Sequence, residues 1–76
     1  MEKLIDILKQ QLSGYNITEI MQSGDREIDI MVNTKADAYA IRKIVDLMHD
    51  DSEVKIKGIK INFVDKNGIR FEQVTG

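Results

Sequence analysis

The sequence predicts a small α+β domain with the order α-β-β-α-β-β-β, in which both helices pack on one face of an antiparallel sheet. Residues 54–74 alternate between apolar and polar side chains, which is typical of strands. Two earlier segments instead repeat their apolar residues at helical spacing. The chain has 76 residues and is 42% apolar, enough for one domain. Short connections favour antiparallel neighbours and leave the other sheet face open to solvent.

Residues 2–13 are predicted to form the first helix. Its apolar residues share one face at helical spacing, opposite a polar side. They are Leu4, Ile5, Leu8 and Leu12. Ile7 falls off this stripe, so we expect a partly covered residue at the boundary of the core.

Residues 15–32 are predicted to form a hairpin. The second strand is well defined, because Ile28, Ile30 and Val32 alternate with Glu27, Asp29 and Met31. The first strand, around residues 17–21, is less regular and leaves the register open. Residues 23–25 supply the turn. The outward carboxylates of the second strand make this half of the sheet acidic.

Residues 34–49 are predicted to form the second helix, with Thr34 as its N-cap and Asp37 in the favourable first turn. Its apolar residues cover about 180–200° of the circumference, wider than the usual stripe. They are Ala36, Ala40, Ile41, Ile44, Val45, Leu47 and Met48. This helix should therefore contact more than the sheet, either the first helix or a partner chain. The opposite side carries Tyr39, Arg42, Lys43 and Asp46.

Residues 54–74 are predicted to form a three-stranded meander. The apolar parity reverses at Lys57-Gly58, which a two-residue turn explains, and a β-bulge at Gly58 is the alternative. Residues 65–68 suit a three-residue hairpin loop, with Gly68 in the left-handed conformation. Counting outward from that loop pairs Asp65 with Ile69. It also makes Phe63 and Phe71 cross-strand neighbours on the buried face.

The meander also predicts a basic sheet face opposite the phenylalanines. Its members are Lys55, Lys57, Lys60 and Arg70. Such a face is compatible with phosphate binding. However, sheets that bind single strands stack bases on exposed aromatic rings, and here both rings are predicted to point inward. Nearby Glu27, Asp29 and Glu72 also oppose the positive charge. We therefore favour a solvated face, with an acidic protein surface and nucleic acid as alternative partners.

Catalytic signatures are not found in the sequence, and we expect no enzyme, no cofactor and no metal. None of the isolated glycines belongs to a phosphate-binding motif. The single histidine, His49, is followed by Asp50, Asp51, Ser52 and Glu53. Side chains at a helix end and loop diverge, so a weak metal site is only a minor alternative. Glu27 and Asp29 share a strand face predicted to be exposed, which offers neither the burial nor the like-charge pocket that acid–base catalysis requires.

The remaining features favour a protein-binding module, an adaptor or an inhibitor of the minimal kind that phages and mobile elements encode. The net charge is −2 and cysteine is absent, which suits the cytoplasm; no signal peptide or membrane span is apparent. Tyr39 beside Arg42, Lys43 and Asp46 has the composition of an interface anchor. A sheet edge is a further candidate surface. The alternatives are a nucleic-acid-binding module and a homodimer built on the helix faces.

Overall fold

The computed structural model describes residues 2–50 and 58–75. These residues form the elements α1 (Glu2–Gln11), β1 (Ile17–Gly24), β2 (Glu27–Val32), α2 (Lys35–Asp50), β3 (Lys60–Val64) and β4 (Arg70–Thr75). The strands make one sheet in the order β1-β2-β3-β4. The α+β fold class is confirmed. The strand predicted over residues 54–57 lies outside the described residues, as do Lys55 and Lys57.

The sheet is mixed, so the prediction of a purely antiparallel sheet is wrong. Strands β1 and β2 pair antiparallel, as do β3 and β4. Strands β2 and β3 are parallel, with Ile28 opposite Ile61 and Ile30 opposite Phe63. The physical reason is the connection: α2 carries the chain back along the sheet, so the next described strand can start at the same end as β2. A helical crossover of this kind is the usual link between parallel strands.

Both helices contribute to one core on one face of the sheet, as the sequence predicted. Helix α1 lies against β1, and α2 lies against β2 and β4. The members of the core are Leu4, Leu8, Leu12, Ile20, Ile28, Ile30, Val32, Ala38, Ile41, Val45, Met48, Ile59, Ile61 and Phe63. Ile7 is partly buried against this cluster, in agreement with the boundary position predicted for it.

The start of α2 has the predicted N-cap. The backbone N–H of Asp37 donates to Oγ1 of Thr34 at 3.2 Å, which satisfies one of the free amides of the first turn. The Thr34 hydroxyl in turn donates to Oδ2 of Asp37 at 2.9 Å. The carboxylate therefore contacts the cap side chain rather than the cap backbone of a standard capping box.

The loop between β3 and β4 has the predicted form. The backbone N–H of Asp65 donates to the carbonyl of Ile69, and the N–H of Gly68 donates to the carbonyl of Asp65. The Asp65 side chain closes the loop, because its Oδ1 accepts from the N–H groups of Asn67 and Ile69 at 2.8 and 2.9 Å. Gly68 has a φ of 81°, the left-handed conformation that favours glycine.

The register beyond this loop corrects the predicted phenylalanine pair. Val64 lies opposite Arg70, but Phe63 lies opposite Glu72. Phe71 is thus the extra residue of a β-bulge in β4, which shifts the pairing by one position. Phe63 is fully buried, and Phe71 is partly buried against the core. Both rings still contact the core, as predicted, although they do not face each other across the strands.

We expect Gly68→Ala to destabilise the protein by about 1–2 kcal/mol, the cost of a left-handed conformation for a residue with a Cβ. A Cβ at this position would contact nothing within 4 Å, so backbone strain is the whole effect. Gly14→Ala is the matched control, since Gly14 also has open space but no positive φ. Urea denaturation should leave the control unchanged or slightly stabilised. Equal losses of stability in the two variants would contradict the conclusion that backbone strain at Gly68 causes the effect.

Candidate functional site

The first candidate surface is the outer face of α2, which we define as Ala36, Tyr39, Ala40, Lys43 and Leu47. All five side chains are exposed. At 100° per residue, all but Tyr39 fall within about 60° of one another around the helix, and Tyr39 lies beside Lys43. Leu47 is 70% exposed and Tyr39 is 47% exposed. Ala36 and Ala40 add small apolar surface beside these two large side chains.

The wide apolar stripe predicted for α2 thus divides into two faces. Ile41, Val45 and Met48 are buried against the sheet, and Ile44 is half-buried. Ala36, Ala40 and Leu47, which we expected to contact the first helix or a partner chain, are exposed in the described structure. Ala38, which the sequence analysis did not include, is buried instead.

The predicted partner-binding residues form an ordered polar border along this face. The Nζ atom of Lys35 lies 5.8 Å from the centroid of the Tyr39 ring, a cation–π contact. Nε of Arg42 lies 3.8 Å from Oδ2 of Asp46, one helical turn away. This ion pair is partly exposed and is worth about 0.3–0.5 kcal/mol. Lys43 is exposed. The structure therefore brings Tyr39, Arg42, Lys43 and Asp46 together on one side of α2.

The second candidate surface is the face of the sheet opposite the helices, which we call the open face. No described helix covers it. Alternation along the strands places the following residues there: Glu19 and Met21 of β1, Glu27, Asp29 and Met31 of β2, Lys60, Asn62 and Val64 of β3, and Arg70 of β4. Its described acids lie on β1 and β2, and its described bases lie on β3 and β4.

Asn62 links the two halves of the open face. Its side-chain amide donates to Oε2 of Glu27 at 2.6 Å and to Oδ1 of Asp29 at 2.8 Å. Only 3% of Asn62 is exposed, so it is the one described polar residue in the buried class. The sequence analysis did not single out this residue. The sequence does contain the relevant pattern, an amide on one strand and two outward carboxylates on another. The pattern can be recognised only when β2 and β3 are known to be neighbours.

The predicted basic face is only partly present in the described residues. Lys60 and Arg70 are both exposed on the open face. They do not adjoin each other, because Lys60 begins β3 whereas Arg70 pairs with Val64 at its other end. Lys60 also lies opposite Glu27 of the neighbouring strand. Among the described residues, the charges of this surface are therefore mixed, and no continuous basic strip joins the two cations.

Aromatic side chains do not line the described part of the open face. Phe63 is buried on the helix side, and Phe71 is packed against the core. Tyr15 follows α1, and Tyr39 lies on α2. The stacking surface that single-stranded nucleic acid requires is therefore missing from the open face as far as it is described.

The edges of the described sheet are β1 and β4. Strand β1 has two register shifts, which make Thr18 and Ser23 extra residues in its pairing with β2. Bulges of this kind weaken an edge as a template for a further strand. Lys60 lies on β3, an inner strand of the described sheet, so it protects neither described edge.

A shallow cleft of about 200 Å³ lies between the end of α1 and the start of β1. It is smaller than the ~300–1,000 Å³ of typical ligand sites. Its lining residues are Lys9, Leu12, Ser13, Tyr15, Ile17, Thr18, Glu19 and Ile20. Lys9 and Glu19 supply its only charges. Its small volume makes this cleft a weaker candidate for a binding site than the two larger surfaces.

Within residues 2–50 and 58–75, no group of three or more histidine, cysteine, aspartate or glutamate side chains is arranged to hold a metal ion. The predicted acidic connection over residues 51–53 and the side chain of His49 lie outside the described part. None of the described helices has the length and apolar character needed to span a membrane. Comparison of the chain with protein-family models, with curated proteins and with solved structures finds no match.

Proposed function

We propose that this protein is a non-enzymatic protein-binding module, an adaptor or inhibitor that docks through the outer face of α2. The observation that supports this function is the exposure of Leu47 and Tyr39 on one side of the helix, with the exposed Ala36 and Ala40 beside them. Leu47 is 70% exposed, and covering a large aliphatic side chain of this kind stabilises a complex. The cytoplasm is the setting that we propose, and the lack of cysteine permits it.

The composition of the outer face also suggests the chemistry of the partner. Leu47 would insert into an apolar groove, and the Tyr39 ring would cover its margin, because tyrosine offers a large contact area at a low entropy cost. Lys35 and Lys43 place positive charge beside this contact, whereas Asp46 is engaged by Arg42. The partner that fits best is a protein with an apolar groove bordered by carboxylates. Those carboxylates would accelerate association more than they would tighten the complex.

Leu47→Asp should strongly weaken the interaction. Burying a leucine side chain contributes about 1.5–3 kcal/mol, and a carboxylate inside an apolar groove adds a desolvation cost. We therefore expect affinity to fall by at least about tenfold to a hundredfold. The measurement is capture of proteins from a lysate on the immobilised wild-type chain and on the variant, followed by titration of the captured protein.

Ile69→Asp is the matched control for this experiment. Ile69 is 62% exposed and lies in the loop after β3. Its substitution replaces an exposed aliphatic side chain similar to that of Leu47 with the same carboxylate. A protein retained by the wild type and by the control but lost with the Leu47 variant supports the proposal. A partner retained equally by all three chains would rule out the outer face of α2 as the docking surface.

A further inference from the structure

The charged residues of the open face change from acidic to basic across the strands. One row across the sheet contains Glu19, Met31, Val64 and Arg70, in the order of the strands β1 to β4. A parallel row places Glu27 on β2 beside Lys60 on β3. In both rows the acid lies on the β1 side and the base on the β4 side, and the first row has apolar residues in its centre.

This order makes the open face complementary to itself. A two-fold axis parallel to the strands, placed above the sheet, lays β4 of a second copy over β1 and β3 of that copy over β2. Glu19 then faces Arg70 of the second copy, and Glu27 faces Lys60 of the second copy. Met31 lies opposite Val64 of the second copy, which is only 4% exposed in the free chain and so adds little contact. Each of these contacts occurs twice, as symmetry requires of an isologous interface.

We propose that the open face packs against the open face of a second copy of this chain, with the two-fold axis parallel to the strands. The alternative axis in the same plane, perpendicular to the strands, would lay each strand on its own equivalent. Lys60 would then face Val64, and Glu27 would face Met31, so two charges would be buried against apolar side chains. Charge complementarity therefore selects the first arrangement. Two sheets packed in this way cross at about 30°, which moves opposing residues of the edge strands apart. The long Glu19 and Arg70 side chains can bridge that separation.

The dimer is weak. Four strands about 4.8 Å apart and some five residues long offer a face of only a few hundred Å², below the roughly 800 Å² per partner of standard stable interfaces. Val64 and Asn62 are already buried within the free chain, so they add little further burial. Association is then mainly electrostatic and falls as salt screens the charges. The outer face of α2 lies on the other side of the sheet and stays free, so each dimer presents two copies of it.

Charge exchange between Glu19 and Arg70 tests this arrangement. Within one chain these residues lie on the opposite edge strands, roughly 14 Å apart, so neither depends on the other for folding. Glu19→Lys and Arg70→Glu should each weaken self-association about tenfold, because each places like charges opposite one another twice. An equimolar mixture of the two variants should regain the wild-type association, since every reversed charge then meets its opposite.

Sedimentation equilibrium from ten micromolar to one millimolar protein, at low and at high salt, measures these associations. We expect a salt-sensitive wild-type dimer and recovery in the mixture. A wild-type chain that stays monomeric throughout at low salt overturns the proposal, and so does a dimer that both variants leave intact. Loss of the dimer in Leu47→Asp with retention in both charge variants would assign self-association to α2 instead. The binding of another protein to the outer face of α2 is measured separately, so either proposal can fail alone.

Discussion

Phe63→Ala should remove about 3–5 kcal/mol from the free energy of unfolding, the loss typical of a buried phenylalanine. Phe63 has no exposed surface and lies on an inner strand, opposite Ile30, within the core to which both helices contribute. Truncation there opens a cavity that the sheet cannot close by shifting one strand. A chain of 76 residues has a total stability of roughly 4–11 kcal/mol, so this loss is a large fraction of the total and at the low end of that range unfolds the variant.

Urea denaturation followed by circular dichroism measures this loss, with Leu47→Ala as the control. Leu47 is similar in apolar character but 70% exposed, and its truncation should change stability by no more than about 0.5 kcal/mol. Phe71→Ala should fall between the two, because Phe71 is only partly buried. A loss below about 1 kcal/mol for Phe63→Ala would mean that the core is not centred on β3.

Local patterns predicted the local structure well. The first turn of α2 is correct because the Thr34 hydroxyl and the Asp37 amide lie three residues apart and need no other element to meet. The loop after β3 is correct for the same reason, since Asp65 and Gly68 determine it through their own backbone and side-chain preferences. Period-two alternation in turn identified the buried residues of β2, because one face of that strand is covered.

Long-range arrangement was predicted less well, because nothing local specifies it. The alternation of β3 is compatible with either direction of pairing, and only the crossover through α2 makes it parallel to β2. The bulge at Phe71 inserts one residue without any glycine or proline to mark it, so a count outward from the loop pairs Phe63 with Phe71 instead of Glu72. In both cases the sequence motif was correct and its partner was not.

The candidate surfaces show the same difference between local features, which were predicted, and long-range features, which were not. The polar border of α2 was predicted, because helical spacing alone brings Tyr39 and Lys43 to one side. The exposure of Leu47 was not predicted, since the width of an apolar stripe does not say which part of it the sheet covers. Acids that oppose the basic face were predicted, but their arrangement across the strands was not. That arrangement depends on β2 lying beside β3, which places Lys60 next to Glu27.

Asn62 shows how strongly this pairing matters for the open face. A buried amide that donates to two carboxylates joins β2 to β3 through side chains as well as through the backbone ladder. Hydrogen bonds to charged acceptors contribute about 1.5–3 kcal/mol each, and the buried donor cannot be replaced by water without rearrangement. We infer that Asn62 also favours the observed register, because a shift by one residue would turn it away from Glu27 and Asp29.

Asn62→Asp should therefore cost about 3 kcal/mol or more at pH 7, since it replaces a shared donor with a third carboxylate. The two neighbouring carboxylates disfavour ionisation of the new group, so its pKa in the folded state should rise above the ~3.9 of an unfolded chain. A raised pKa gives stability that is present below pH 3.9 and lost as the pH rises. The deficit relative to wild type should thus grow between about pH 4 and 7.

Asn62→Leu separates this electrostatic penalty from the loss of the two hydrogen bonds. The leucine variant has a similar volume and no titrating group, and we expect it to lose about 1–2 kcal/mol, because Glu27 and Asp29 remain partly exposed and can bind water. The difference in stability between the aspartate and leucine variants, measured by urea denaturation at several pH values, isolates the effect of the added charge. A difference that stays constant from pH 4 to pH 7 would mean that Asn62 does not hold the two carboxylates together. If the difference instead increases with pH, the amide of Asn62 is what allows two acids to lie side by side on the open face.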